Sequence, residues 1–151
     1  MPRASMPPNR NQQPLSEGQV DRVFLTFRHL DPSVPVRYVP VNRTCFVVTG
    51  EVAEVRFGPD IHPGGGLDPN SNMSVRAAAA HEVAHYHRWA DGTELPHGQL
   101  DNIDEALTSL EAVLRFQELQ WIEARQLISD AILRLNMFVQ GQQPAQVEID
   151  D

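Results

Sequence analysis

Residues 77–89 of this chain read AAAAHEVAHYHRW and contain the H-E-x-x-H motif His81-Glu82-Val83-Ala84-His85. Positions four residues apart lie on one face of an α-helix, so the two imidazole side chains point toward a common site. Two neutral imidazoles suit Zn²⁺, and the carboxylate of Glu82 lies beside them to take a proton from a water that the metal activates. The motif therefore predicts a helix that carries a catalytic zinc site.

The composition indicates one domain. The chain has 151 residues, of which 41% are hydrophobic, enough for one core and too few for two ordinary domains. Its single cysteine, Cys45, excludes an internal disulfide framework, and residues 1–14 lack the apolar segment of a signal peptide. Since no run approaches the ~20 apolar residues of a transmembrane helix, we expect a cytoplasmic protein that does not associate with membranes.

The charge of the chain restricts its partners. Twelve basic and twenty acidic residues give a formal net charge of −8. This balance disfavours broad binding to a phosphate backbone, so nucleic acid is not an expected partner. The acidic residues are concentrated at positions 91–111, close to the H-E-x-x-H motif. They are interpreted either as a solvated surface or as a preference for basic peptide substrates.

The sequence before the motif predicts a helix and a small sheet. Residues 1–14 are rich in Pro, Asn and Gln and are predicted to be a disordered tail. Ser16 and Gln19 form a capping-box pattern before apolar residues at helical spacing, which predicts a helix that ends near residues 31–32. Three β-type segments follow, separated by connections so short that they predict an antiparallel sheet. These segments are residues 36–41, 44–49 and 52–57, and the last is interpreted as an edge strand.

The loop at residues 58–72 leads directly into the helix that carries the motif. Four glycines and three prolines predict irregular structure there. Asn72 or Ser74 is expected to cap the following helix, and the pair at residues 91–92, Asp-Gly, is expected to end it. The four alanines before His81 add little bulk, so another element is expected to pack closely against this helix.

Residues 101–139 contain neither Gly nor Pro, and apolar residues recur there at spacings of three and four. The pattern predicts one long helix or two helices in phase, with the apolar face of the first half on the sheet and the first helix. Unbroken, it would be more than about 50 Å long, so it either kinks near Gln117 or extends out of the domain. Residues 121–139 are apolar on nearly every side, which predicts burial within the domain or in contact with a homodimer mate or partner protein. Residues 141–151 are predicted to be a disordered acidic tail.

A zinc site of this kind needs a third protein ligand, and three candidates lie outside the next helix. Asp91 stands where an extended motif places its last ligand, but that motif requires a glycine at the position of Arg88. Cys45 is a thiol upstream of the motif, yet it lies in an apolar strand pattern that indicates a buried side chain. His97 lies in a loop, where nothing else in the sequence supports it as a ligand.

Glu105 is the fourth candidate and the one that the sequence favours most. It lies one turn into the next helix, and a connection of about ten residues allows this helix to pack antiparallel to the first. Together with Thr108 and Ala112 it forms a small, polar face beside the leucine stripe. The alternative interpretation is an ordinary first-turn glutamate that the helix dipole favours.

The H-E-x-x-H motif, followed by the segment DEALTS at residues 104–109, resembles the gluzincin arrangement and is similar to the short ImmA/IrrE-type metallopeptidases. The resemblance covers residues 52–112. It implies zinc bound by His81, His85 and Glu105, with Glu82 as the general base. Peptide deformylases also combine a cysteine with H-E-x-x-H, but their glycine-rich and E-G-C segments are absent here.

Two positions depart from the gluzincin pattern. Asp104 replaces the usual asparagine, and Ser109 stands where an aspartate normally supports a histidine. The groups around the metal ligands are therefore the part of the site to which the resemblance gives least support.

These observations predict an α+β fold with a small antiparallel three-stranded sheet. The sheet would pack on an N-terminal helix, the motif helix and a long C-terminal helix, in one zincin-like domain at residues 15–140. The leading hypothesis is a zinc metallopeptidase that acts on a protein or peptide substrate lying along residues 52–57. Candidates for stabilising its transition state are His97, His62 and Tyr86. The alternative is a non-catalytic zincin-like scaffold that docks a partner through the long C-terminal helix.

Overall fold

A computed structural model describes residues 3–4, 10–41, 43–65 and 69–141 of the chain, which have an α+β fold. The described helices are α1 (Glu17–Leu30), α2 (Val75–Asp91), α3 (Asp101–Arg115) and α4 (Trp121–Val139). The described strands are β1 (Arg3–Ala4), β2 (Val36–Tyr38), β3 (Cys45–Thr49) and β4 (Val52–Phe57). Two short 3₁₀ turns, Pro59–Ile61 and Pro69–Asn72, lie between β4 and α2.

Local signals in the sequence define the ends of α1 and α2. Ser16 accepts a hydrogen bond from the backbone of Gln19 at 3.2 Å, and the Gln19 side chain accepts one from the backbone of Ser16 at 2.8 Å. Ser74 caps α2, which ends at Gly92 with a φ of 71°, a left-handed conformation that glycine adopts without strain. The predicted bounds of both helices are confirmed.

The sheet is mixed, with strand order β1-β3-β4-β2. β3 and β4 form an antiparallel hairpin, but β2 runs parallel to β4, with Val36 opposite Val55. The prediction of a wholly antiparallel sheet is therefore wrong, and so is the prediction that β4 is an edge strand. The connection between β2 and β3 is short, yet it crosses β4, a lateral step of about 10 Å that lies within the reach of six residues.

Part of the predicted N-terminal tail has defined structure. β1 pairs with β3 in an antiparallel manner, and the buried Arg10 side chain donates to the backbone carbonyls of Asp60, Ile61 and Met73. The prediction of disorder for residues 1–14 does not hold for these residues. The prediction of an acidic tail falls mostly on residues 142–151, which lie outside the described residues.

The predicted long C-terminal helix is two helices, α3 and α4, separated by residues 116–120. Phe116 is buried with extended backbone (φ −105°, ψ 100°), and α4 begins where the backbone of Gln120 donates to Glu123 at 2.9 Å. The break includes Gln117 and lets α4 pack against α3 instead of extending out of the domain. No helix in the described part of the chain is long and apolar enough to cross a membrane.

The apolar core lies between the sheet, α1 and α2, where it includes Phe27, Phe57 and the alanines of α2, and it extends to Ala112 of α3. α3 packs instead against α2 and α4, so the prediction that its leucine stripe contacts the sheet and α1 is wrong. Leu107, Leu110 and Leu114 are exposed. The buried residues of α3 are small or polar, namely Asp101, Asn102, Asp104, Glu105, Ala106, Thr108, Ser109 and Ala112. A helix that buries its polar face needs partners for those groups, and α2 and α4 supply them.

Candidate metal centre

Three side chains from two helices converge at one buried point. Nε2 of His81 lies 2.8 Å from Oε2 of Glu105, and Nε2 of His85 lies 2.9 Å from the same oxygen. One ligand atom from each residue lies within 4.8 Å of the other two, and none of the three residues is more than 1% exposed. The structure thus brings together the three residues that the sequence predicts as metal ligands.

The local sequence explains why α3 approaches α2 closely enough for this contact. Ala80 and Ala84 flank the first histidine on α2, and Ala112 lies on the buried face of α3; all three are fully buried. Methyl side chains allow two helices to pack near the short end of the usual 8–10 Å separation between axes. A glutamate on one helix can then reach two imidazoles on the other.

The outer nitrogens of both rings are held by oxygen atoms. Nδ1 of His81 lies 2.7 Å from Oγ of Ser109, which itself donates to Asp130 at 2.5 Å. Nδ1 of His85 lies 3.0 Å from a carboxylate oxygen of Glu94. Because both partners accept a proton in these contacts, each Nδ1 is the donor. When both imidazoles are neutral, with the proton on Nδ1, each presents the lone pair of its Nε2 to Glu105.

Such a group of atoms requires a cation, because two lone pairs and a carboxylate oxygen repel one another in a buried site. Burial alone would lower the pKa of His85, but Glu105 and Glu94 outweigh burial and raise that pKa to about 10. Burial lowers the pKa of His81 by more than Glu105 raises it. Burial would raise the pKa of Glu105, but the two histidines hold it well below its usual value. Without a metal, one imidazolium thus supplies the positive charge.

The donor set and its spacing also fit a zinc ion. Donor atoms about 2.0–2.1 Å from a tetrahedral zinc are roughly 3.3 Å apart, so the observed pairs at 2.8 and 2.9 Å need to open only slightly. The second carboxylate oxygen of Glu105, Oε1, is buried and has no hydrogen-bond partner among the described residues. His81, His85 and Glu105 are therefore the residues that would hold the ion.

Glu82, the predicted general base, is fully buried beside this group. Its charge raises the pKa of the His85 imidazole, after the larger effects of burial, Glu105 and Glu94. The guanidinium of Arg134, which α4 buries in the same region, also interacts with Glu82. Burial would lower the pKa of Arg134, but Asp130, Glu105 and Glu82 together raise it. Glu82 is thus within electrostatic reach of the proposed ligands and of a buried cation.

The other candidates for the third ligand lie outside this group. Asp91 is exposed at the end of α2, 3.3 Å from the guanidinium of Arg115. The side chain of His97 is 62% exposed, and its Nδ1 lies 3.8 Å from Asp101. Burial, followed by the charge of Glu82, raises the pKa of the Cys45 thiol to about 12, and its sulfur is not among the grouped ligand atoms.

The residues predicted to stabilise a transition state do not belong to the group formed by His81, His85 and Glu105. Burial lowers the pKa of His62, which follows the Pro59–Ile61 turn. The ring of Tyr86 packs against Phe46 at 6.3 Å, on the side of α2 that faces the sheet. The assignment of His62, Tyr86 or His97 to this role stays a prediction.

His87 points away from the site, as its position on the helix predicts. Its Nε2 lies 2.6 Å from a carboxylate oxygen of Asp31, the residue that caps the C-terminus of α1. This contact joins α1 to α2 on the side remote from Glu105.

Two residues that contact the site, Glu94 and Asp130, are not predicted from the sequence. Glu94 lies nine residues after His85 in an irregular connection, where no periodicity indicates its direction. Asp130 has a recognisable signal, because Asp130 and Arg134 are spaced i,i+4 on one face of α4, where they form a buried ion pair of 3.2 Å.

A second group of potential ligands overlaps the first. His85, Glu94 and Asp104 also place ligand atoms within 4.8 Å of one another. However, Asp104 pairs with Arg88 at 2.7 Å and accepts a hydrogen bond from the backbone of Leu95 at 2.8 Å. Those contacts give Asp104 a structural role in holding the connection between α2 and α3.

No family model, no curated protein and no solved structure matches this chain. The resemblance to gluzincins and ImmA/IrrE-type metallopeptidases therefore rests on the two motifs. The function must be argued from the geometry and chemistry of the site itself.

Proposed function

We propose that this chain is a zinc-dependent metallopeptidase, with His81, His85 and Glu105 as zinc ligands and Glu82 as general base. The observation that carries the proposal is the convergence of two Nε2 atoms on one carboxylate oxygen, at 2.8 and 2.9 Å, in a buried site. Three protein ligands with one open position are typical of catalytic zinc, whereas structural zinc usually has four. The adjacent carboxylate of Glu82 supports a hydrolytic rather than a structural role.

A zinc ion bound there would supply Lewis acidity and lower the pKa of a water molecule to about 7. Glu82 takes the proton from the water that attacks the peptide carbonyl, and then gives a proton to the departing amine nitrogen. One C–O bond forms, one C–N bond breaks, and the proton passes through this single carboxylate. Glu105 acts only as a ligand, since the neighbouring histidines hold its pKa well below its usual value and keep it ionised.

The proposed substrate is a peptide or protein segment. Strand β3 pairs with residues 52–56 of β4 and β2 pairs with residues 55–57, so the backbone at residues 55–56 has a neighbouring strand on both sides. A substrate that pairs along the whole of residues 52–57, as the sequence predicts, would have to displace β2 or β3. His81, Glu82, His85 and Glu105 are at most 1% exposed, so a peptide reaches them only if the surrounding elements open.

The same burial favours a second candidate function, a non-catalytic zincin-like scaffold. α4 carries exposed apolar residues at regular helical spacing, among them Ile128, Ile132 and Leu135. Such a surface is typical of a protein contact, and under this candidate function residues 121–139 bind a partner protein or a second copy of the chain. Sedimentation of wild type and Ile132→Glu tests for the second copy, which predicts a dimer that the charge disrupts. A wild-type monomer contradicts the dimer.

The two candidates separate in one experiment on Glu82. Wild type, Glu82→Gln and Glu111→Gln are loaded with zinc and incubated with a mixed peptide library. The peptidase predicts that Glu82→Gln keeps its zinc but loses about 10²- to 10⁴-fold in cleavage rate, while Glu111→Gln, a change on the partly exposed side of α3, retains the activity. Zinc-loaded wild type that cleaves no peptide, or Glu82→Gln with full activity, contradicts the peptidase.

A further inference from the structure

A continuous chain of buried contacts links the proposed zinc ligand His81 to helix α4. Nδ1 of His81 lies 2.7 Å from Oγ of Ser109, and the same oxygen lies 2.5 Å from Oδ2 of Asp130. The other oxygen of Asp130 lies 3.2 Å from Nε of Arg134, one turn along α4. All four residues are buried, so water does not compete for these contacts.

The direction of the hydrogen bonds in this chain follows from the charge of Asp130. A serine hydroxyl has one proton, and it both donates and accepts. The short contact of 2.5 Å is typical of a hydroxyl that donates to an ionised carboxylate. The proton of Ser109 is therefore directed to Asp130, and a lone pair is left to accept the Nδ1 proton of His81.

Without the carboxylate of Asp130, none of the other contacts in this series, from His81 to Arg134, fixes the direction of the Ser109 hydroxyl. It could then rotate and donate to Nδ1 of His81, a contact that requires the ring proton on Nε2. A ring protonated on Nε2 does not bind a metal through that atom. Loss of Asp130 thus favours the tautomer of His81 that cannot bind a metal ion through Nε2.

Arg134 keeps Asp130 available for this role. The guanidinium pairs with the carboxylate within the buried face of α4, and the two residues are four positions apart on one side of the helix. A buried carboxylate is costly unless it is paired and hydrogen-bonded. The arginine therefore stabilises and orients the carboxylate that accepts from Ser109.

We propose that Asp130 is a positioning residue of the metal centre, which acts through Ser109 to fix the proton and the orientation of the His81 ring. A carboxylate from α4 thereby replaces, through the serine, the aspartate that the gluzincin pattern has in place of Ser109. This inference rests on the zinc centre of the proposed function but not on peptidase activity. It makes zinc affinity dependent on the docking of α4.

The test is a double-mutant cycle in zinc affinity, measured by competition with a chelator. Wild type, Ser109→Ala, Asp130→Asn and the double variant are compared, with Asn136→Ala on the exposed side of α4 as control. Each single variant should weaken zinc binding about 10- to 100-fold. The double variant should bind no more than about threefold more weakly than Ser109→Ala, because Asp130 acts only through the serine.

A second variant separates positioning from a purely structural role. Ser109→Asp combined with Asp130→Ser exchanges the two side chains and places a carboxylate directly next to His81. Its zinc affinity should exceed that of Asp130→Asn and recover most of the loss. Unfolding of the metal-free variants shows whether each still folds.

Several results would overturn the inference. If Asp130→Asn weakens zinc binding as strongly in the Ser109→Ala background as in wild type, Asp130 acts on the metal directly by its charge. If Asp130→Asn or Ser109→Ala binds zinc as wild type does, or if wild type binds no zinc, the inference is wrong. If the double-mutant cycle in zinc affinity gives the expected result but the protein cleaves no peptide, the peptidase function is wrong and the inference on Asp130 is unaffected.

Discussion

His81 and Glu105 are 24 residues apart in the chain, yet Nε2 of the first lies 2.8 Å from Oε2 of the second. This contact joins α2 to α3 through two side chains that are no more than 1% exposed. A buried carboxylate that faces imidazole lone pairs is stable only with a cation between them, supplied by a proton or by a metal. The contact is therefore the part of the structure that bears most directly on metal binding.

Replacing the carboxylate of Glu105 tests directly whether this residue binds zinc. Glu105→Gln should reduce the zinc content from about one ion per chain to near zero after dialysis, because a neutral amide is a weak zinc ligand and only two histidines remain. Glu111→Gln changes a glutamate on the same helix that pairs with Arg115, and it should leave zinc content unchanged. Metal analysis of both purified proteins gives the result, and full zinc retention in Glu105→Gln would remove this residue from the ligand set.

The convergence of the three proposed ligands could be predicted because each depends on local geometry. His81 and His85 lie within one helix, where a spacing of four residues fixes their common direction. Glu105 follows from the short connection to the next helix and from its small, polar face. The capping box of α1 and Gly92 at the end of α2 are likewise local signals, and the structure confirms them.

What the sequence did not predict depends on long-range packing. The parallel pairing of β2 with β4 requires the chain to cross a strand, and adjacency along the sequence argues against it. The sequence leaves open whether residues 101–139 form one long helix or two, because no Gly or Pro marks a break; the burial of Phe116 and the Gln120–Glu123 contact define the two helices. Asp130 lies 21 residues from Ser109, and only the folded chain reveals that they meet.

Arg10 is expected to be important for stability, although it lies in a segment predicted to be disordered. Its guanidinium donates to the carbonyls of Asp60, Ile61 and Met73 at 2.8, 2.6 and 2.6 Å, and so holds the segments before α2 together. Arg10→Met should lower the free energy of unfolding by about 2–4 kcal/mol, because three buried carbonyls lose a charged donor. Urea titration measures this change.

The matched control for this prediction is Arg28→Met, which replaces an exposed arginine on α1. Its free energy of unfolding should stay within about 0.5 kcal/mol of wild type. Equal effects of the two substitutions would show that the contacts of Arg10 do not stabilise the fold.

The contact between Asp31 and His87 predicts a pH dependence of stability. Burial would raise the pKa of Asp31, but hydrogen bonds from Ser33 and then the contact with His87 outweigh burial and hold the pKa below its usual value. A carboxylate with a lowered pKa stabilises the fold above its unfolded pKa of about 3.9, and this contribution is lost as the pH falls through the folded pKa. The stability difference between wild type and Asp31→Asn should therefore be largest above about pH 5 and shrink below pH 4.

Urea unfolding of both proteins from pH 3 to pH 7 measures this difference. Asp21→Asn, which removes an exposed carboxylate from α1, controls for the loss of one negative charge. A stability difference for Asp31→Asn that is independent of pH would contradict the assignment.

Helix α3 buries its small, polar face and exposes its leucines. Substitutions on these two faces should therefore differ in their effect on the free energy of unfolding. Leu114 is 84% exposed, so Leu114→Ser should change the free energy of unfolding by no more than about 0.5 kcal/mol. Ala112 is fully buried on the face of α3 that packs in the core, so Ala112→Leu should cost about 1–3 kcal/mol through overpacking. The sequence alone predicts that both faces are buried, so it predicts a large cost for Leu114→Ser as well. If thermal and urea unfolding show a loss of more than about 2 kcal/mol for Leu114→Ser, this face is covered in solution, and the exposed stripe described above belongs to an interface.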